Sequence, residues 1–75
     1  MNILAIDQGT SGTKAIIVDE AGVVRAVAEV PVRPQYLVGG GVEQCPDQLL
    51  ASVLDAGRRA CEASGLTIDA VALAN

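Results

Sequence analysis

The sequence contains no histidine, tryptophan or phenylalanine, and Tyr36 is its single aromatic residue. Without histidine, imidazole-dependent catalysis cannot be built from this chain alone. Its two cysteines, Cys45 and Cys61, lack the spacing of a zinc site. The scarcity of aromatics leaves Val, Leu, Ile and Ala to form the core, and such side chains bury less area each. No apolar run is long enough to cross a bilayer and no signal-peptide pattern opens the chain, so a cytoplasmic setting with free thiols is the expectation. Met1 leading at once into an apolar run fits an authentic N-terminus. Basic residues are also scarce: five against nine acidic ones give a net charge of −4, which argues against a nucleic-acid partner. It does not argue against a nucleotide, because a metal ion and a few local donors decide that. Seventy-five residues make at most one small domain, marginally stable without a staple, a partner or a ligand.

The informative stretch lies at the start. Ile3-Leu4-Ala5-Ile6 is an apolar run ending in a carboxylate, Asp7. Gln8-Gly9-Thr10-Ser11-Gly12-Thr13 follows as a turn of glycines and hydroxyls, and Lys14 leads into a second apolar run, Ala15 to Val18. This reads as a strand, a tight turn and a returning strand, with Asp7 at the exit of the first. Backbone amides in such a turn can converge on an anion, and Gly9 and Gly12 allow the close approach and positive φ this requires. Thr10, Ser11 and Thr13 add hydroxyl donors, Lys14 a cation, and Asp7 a carboxylate able to hold a hydrated Mg²⁺. The whole reads as a phosphate-binding hairpin. Plainer readings stay open on the residues alone: Asp7 as a turn carboxylate accepting backbone N–H bonds, Gly9 to Gly12 as an ordinary hairpin turn, and Lys14 as a strand-end charge.

The rest of the chain supplies a scaffold. Residues 2–7 and 13–19 are expected as strands, the first buried on both faces and the second likewise over Ala15 to Val18. Asp19-Glu20-Ala21-Gly22 is an acidic tight turn in which Gly22 can take positive φ. Residues 23–32 alternate as a third antiparallel strand: Val24, Ala26, Ala28 and Val30 face the core, and Arg25, Val27 and Glu29 face away. Pro31 and Pro34 end it. Pro34 to Gln44 reads as a mobile glycine-rich loop around Gly39-Gly40-Gly41. A helix is expected over 46–64: Pro46 suits its first position, Asp47 faces the positive end of the dipole, and Gly65 closes it. Cys45 is a poor N-cap for that helix, and Cys61 falls on its core side. The apolar stripe comprises Leu49, Leu50, Val53, Leu54, Gly57, Ala60 and Cys61. Residues 68–74 form the last strand, whose apolar content on both faces suits a sheet interior.

At Asp7-Gln8-Gly9-Thr10-Ser11-Gly12-Thr13-Lys14-Ala15 the chain resembles the N-terminal signature of the FGGY carbohydrate kinases. Gly40-Gly41-Val42-Glu43-Gln44-Cys45-Pro46-Asp47 is similar to the family's Gly-Trp-Val-Glu-Gln-Asp-Pro-Glu segment. Ile68 to Asn75 is similar to the strand entering its Asn-Gln or Gly-Gln motif, so the likeness covers the chain in order. The element order is β-β-β-α-β, an α/β unit of the ribonuclease-H-like fold shared by sugar kinases, actin and chaperone ATPases; fold alone does not tell these apart.

The resemblance implies an N-terminal piece (residues 1–75) of an ATP- and Mg²⁺-dependent kinase that phosphorylates a sugar or polyol hydroxyl. It favours phosphate contact by Gly9, Thr10, Ser11, Gly12, Thr13 and Lys14, with Mg²⁺ at Asp7 through water. Glu43 and Gln44 either line an acceptor pocket or belong to a solvated loop. The catalytic base and the adenosine pocket lie further along in the family, so the piece alone is expected to be inactive. Gly41 stands where many members have tryptophan, and Cys45 where they have a capping aspartate, which leaves the sugar open. The alternative is a non-catalytic binding or assembly module of the actin-like superfamily. No nucleic-acid or membrane partner is expected. Self-association is expected, through sheet surface that one helix cannot cover.

Overall fold

A computed structural model describes residues 1–9, 11–32, 35–36, 38–43 and 46–74. Strands β1 (Ile3–Gln8), β2 (Gly12–Val18) and β3 (Val24–Pro31) meander antiparallel. Helix α1 (Pro46–Ser64) then leads to the last strand, β6 (Ala70–Ala74), which lies parallel to β1. The sheet order is β3-β2-β1-β6, with the helix on one face. This is the β-β-β-α-β arrangement of the ribonuclease-H-like fold.

Local chemistry explains each corner. Between β2 and β3, the Asp19 carboxylate accepts the amides of Ala21 and Val23 at 2.9 and 3.0 Å, while Gly22 takes φ of 80°. Arg25 also reaches it at 3.1 Å. These bonds, led by the Val23 amide, hold the Asp19 carboxyl below its ordinary 3.8. A bulge beside this turn pairs Val18 with Val24 but Ile17 with Ala26. It leaves Val24 exposed rather than on the core with Ala26, Ala28 and Val30. At the far end of α1, Gly65 takes φ of 67° and donates to the Cys61 carbonyl at 3.0 Å, closing the helix. Strands β4 (Gln35–Tyr36) and β5 (Val42–Glu43) pair antiparallel around a turn in which Gly39 and Gly40 have positive φ.

The core consists of Leu4, Ile6, Ala15, Ile17, Ala56 and Ala60, all on the helix side of the sheet. Gly57 and Ala60 of the expected helix stripe are buried and Val53 and Cys61 pack against the core, but Leu50 and Leu54 of that stripe depart from the sequence reading. The helix buries Ser52, Ala56, Gly57 and Ala60, while Leu50 and Leu54 are exposed. Small residues let the helix axis approach the sheet closely, and it settles over β2 and β3, leaving β6 uncovered. Two strands differ for the same reason. β1 is covered on one face only, with Ile3 36% exposed on the other. β6 is an edge strand open on both faces, with Val71 and Leu73 64% and 68% exposed.

Gly57 faces the Leu4 and Ile6 side chains, and a Cβ there would lie 3.5 and 3.7 Å from their methyl carbons, ordinary contact distances. Gly57→Ala is therefore expected to stabilise the chain by about 0.5–1 kcal/mol, through helix propensity and a less flexible unfolded state. A raised denaturation midpoint checks this. A lowered one would show that the helix packs closer to Leu4 and Ile6 than these distances allow.

Candidate phosphate-binding site

The β1–β2 hairpin turn opens on the sheet face opposite the helix, beside a pocket of about 500 Å³. Its polar wall is Asp7, Ser11, Lys14 and Glu29, and Gly9 and Gly12 border it through backbone. Strand register creates the wall: Asp7 pairs with Lys14 across β1–β2, and Lys14 pairs with Glu29 across β2–β3. Directly opposed residues of antiparallel strands project to the same face, so the three charges form one row.

Within that row, Lys14 Nζ lies 3.3 Å from Glu29 Oε1. Asp7 is exposed, and its carboxylate has no hydrogen bond or ion pair among the described residues. Among the described residues it accepts no backbone amide, in contrast to Asp19 in the next turn.

The turn differs from the sequence expectation in two respects. The Gly9 amide donates to the Gly12 carbonyl at 2.8 Å, so it closes the turn rather than facing the pocket. Neither Gly9 nor Gly12 has positive φ. Gly12 is required for close approach: a Cβ there would sit 3.1 Å from the Val30 carbonyl oxygen, against the β3 backbone. Val32 completes that contact by donating its amide to the Ser11 carbonyl at 3.0 Å.

Thr13 borders the pocket, but its side chain is only 1% exposed and turns to the helix. Its Oγ1 lies 2.7 Å from Ser52 Oγ, which itself donates to the Leu49 carbonyl at 2.7 Å. Ser52 has one hydroxyl proton, already given to Leu49, so Thr13 is the donor of the pair. The Thr13 hydroxyl proton therefore ties the hairpin to α1 and is not offered to an anion. Thr13→Val should cost about 1–2 kcal/mol, because the buried Ser52 oxygen loses its donor. The Thr13→Val/Ser52→Ala double variant should recover most of that, as measured by denaturation. Additive losses would show that the hydrogen bond is not the coupling.

Among the other expected contacts, Ser11 is exposed at the pocket, Glu43 lies in β5, and Thr10 and Gln44 fall outside the described residues, as does Cys45. Three residues emerge only from the fold. Glu29 alternates to the open face in sequence, but register is needed to set it against Lys14. Ser52 interrupts an apolar stripe, a weak signal of a buried partner. Gln8 has a buried Nε2 without a hydrogen-bond partner among the described residues, and nothing in its sequence context marks it.

The residues fit a hydrated divalent cation held by one carboxylate. Among the described residues no three His, Cys, Asp or Glu side chains come together to cage a metal, and Mg²⁺ characteristically keeps most of its waters. One uncommitted carboxylate beside one ammonium in an open pocket suits a metal-bound phosphate chain.

Residues 2–74 match the profile of the FGGY family of carbohydrate kinases, N-terminal domain. Glycerol kinase 1 of Thermotoga maritima is 45% identical over 78 aligned positions, covering 100% of this chain and 16% of its own length. The glycerol kinase of Rhodospirillum centenum is 40% identical over 97% of the chain and 15% of its own. That of Rhizobium rhizogenes is 40% identical over 93% and 14%. The chain thus spans about one sixth, or slightly less, of the curated relatives it matches. With the hairpin, the sheet order and the match in agreement, the chain belongs to the FGGY family of carbohydrate kinases, where it corresponds to the N-terminal domain.

Proposed function

We propose that this chain supplies the phosphate-binding portion of an ATP-dependent carbohydrate kinase, which transfers the γ-phosphoryl group of ATP to a sugar or polyol hydroxyl. The observation that carries the reading is the uncommitted Asp7 carboxylate in register with Lys14 at the mouth of the hairpin pocket. Phosphoryl transfer is accelerated mainly by positioning and by neutralising charge on the phosphate oxygens. A bound Mg²⁺ supplies charge neutralisation. Asp7 would hold that ion through its waters, while Lys14 and Ser11 would contact phosphate oxygens. Thr10 joins them as a proposed hydroxyl donor, and Gly9 and Gly12 shape the turn. The names of the relatives favour a polyol such as glycerol as acceptor, with Glu43 and Gln44 toward it. Its setting would be the cytoplasm, where a kinase finds ATP.

The chain alone should not turn ATP over. The acceptor hydroxyl must lose a proton as the new phosphorus–oxygen bond forms. Of the described pocket carboxylates, Asp7 would be taken up by the metal, and Glu29 is paired with Lys14. Amide-resolved NMR titration with Mg²⁺-ATP tests the reading. Shifts should concentrate on residues 7–14, and ATP should stay intact with glycerol present. Shifts elsewhere, or none at millimolar ligand, would refute it.

We also propose that the chain self-associates. Leu50, Leu54, Val71 and Leu73 are exposed on the helix side, Ile3 and Val27 on the other, and β6 offers an unpaired edge. Light scattering should show a dimer or larger species whose mass rises with concentration, and a constant monomer mass contradicts it.

A further inference from the structure

We propose that Glu29 makes this pocket selective for metal-loaded over metal-free polyphosphate. The inference rests on the reading that the pocket binds phosphate, and concerns a residue which that reading leaves unused.

The argument is one of local charge. Across the open face the row runs Asp7, Lys14, Glu29, in register through three adjacent strands. Among the described residues bordering the pocket, Lys14 is the one cation, and its ammonium is already 3.3 Å from the Glu29 carboxylate. The charged side chains described at the pocket, two carboxylates and one ammonium, sum to −1, so a bare polyanion meets a described lining of its own sign. A divalent ion brought in on Asp7 changes that sum to +1.

Glu29 is well placed to set this balance because it has little structural work. Its side chain is 67% exposed and that of Lys14 48% exposed, and a solvated ion pair of this kind contributes little to stability. Its effect is felt in the pocket instead, in two ways. It repels an incoming anion in proportion to the anion's charge, and it occupies the ammonium that would otherwise turn to phosphate. Both act most strongly on the more highly charged, metal-free ligand.

The test uses the whole chain and inorganic tripolyphosphate, titrated calorimetrically with and without Mg²⁺ at fixed ionic strength. Glu29→Gln is expected to tighten metal-free binding by about tenfold and Mg²⁺-loaded binding by about threefold. The preference for the loaded form would then fall by about threefold. The thermal midpoint should hold, since the exposed pair stabilises the fold little. Lys14→Gln should weaken both forms. If Glu29→Gln leaves the preference unchanged while Lys14→Gln still weakens binding, the inference fails and the phosphate reading stands. If the unmodified chain binds neither form, or Lys14→Gln changes nothing, the phosphate reading fails and takes the inference with it.

Discussion

Asp7→Ala is expected to lower turnover roughly a hundredfold or more in a kinase carrying this domain, by the scale of losing one preorganised charge-stabilising group. The fold should not change. Asp7 is exposed, and no described residue bonds its carboxylate, so its removal costs within about 0.5 kcal/mol of stability. It also frees Lys14 of its cross-strand neighbour without touching the Glu29 pair. Steady-state kinetics at saturating Mg²⁺ should show the loss in kcat, with an unchanged denaturation curve. In the chain alone, Asp7→Asn should remove most of the Mg²⁺ dependence of tripolyphosphate binding. Unchanged turnover would sink the assignment of the metal to Asp7. Loss of fold together with turnover would show a structural role that the geometry does not provide.

Ile17→Ala should leave the protein barely stable or unfolded. Ile17 is 0% exposed near the end of β2, paired with Leu4 on one side and Ala26 on the other, in the core with Ala56 and Ala60. Truncating such a side chain costs about 2–5 kcal/mol, since the transfer energy is lost and a cavity remains. A chain of this length is stable by about 4–11 kcal/mol at typical values per residue. An aliphatic core of this size belongs at the low end of that range. The cooperative transition should shift far down in urea or disappear. Ile3→Ala removes the same atoms from the open face, where 36% of the residue is exposed, and should cost about 1 kcal/mol or less. Equal losses at the two sites would mean that the open face of the sheet is covered in solution.

That contrast marks the limit of local pattern. Ile3 and Ile17 occupy similar apolar runs, and nothing in either run says which face the helix takes. The same limit explains the helix itself. Periodicity puts Leu50 and Leu54 in the apolar stripe with Gly57 and Ala60, but only the small members are buried, and Ser52 and Ala56 join them. A stripe of large residues and one of small residues compete for the sheet, and the closer packing permitted by the small ones prevails. For β6, apolar content on both faces suggests an interior strand, whereas strand order puts it at the edge. Hydrophobicity reports what a segment tolerates, and the sheet's neighbours decide what it receives.

What the sequence determined by itself was the local grammar and the chemistry at the hairpin. Asp19 and Gly22 specify one turn, and Pro46 and Gly65 bracket the helix, because caps and turns are fixed by residues a few positions apart. The run from Asp7 to Lys14 carried the family signature for the same reason. Tertiary structure alone decided which of those groups face the pocket. Thr13 turned its hydroxyl to Ser52, Gly9 spent its amide on Gly12, and Glu29 came to rest against Lys14. Each of these depends on a partner supplied by another strand, by the helix or by the closure of the turn. Alternation along a strand gives two faces, but only pairing and the docked helix decide which face is core and which is site.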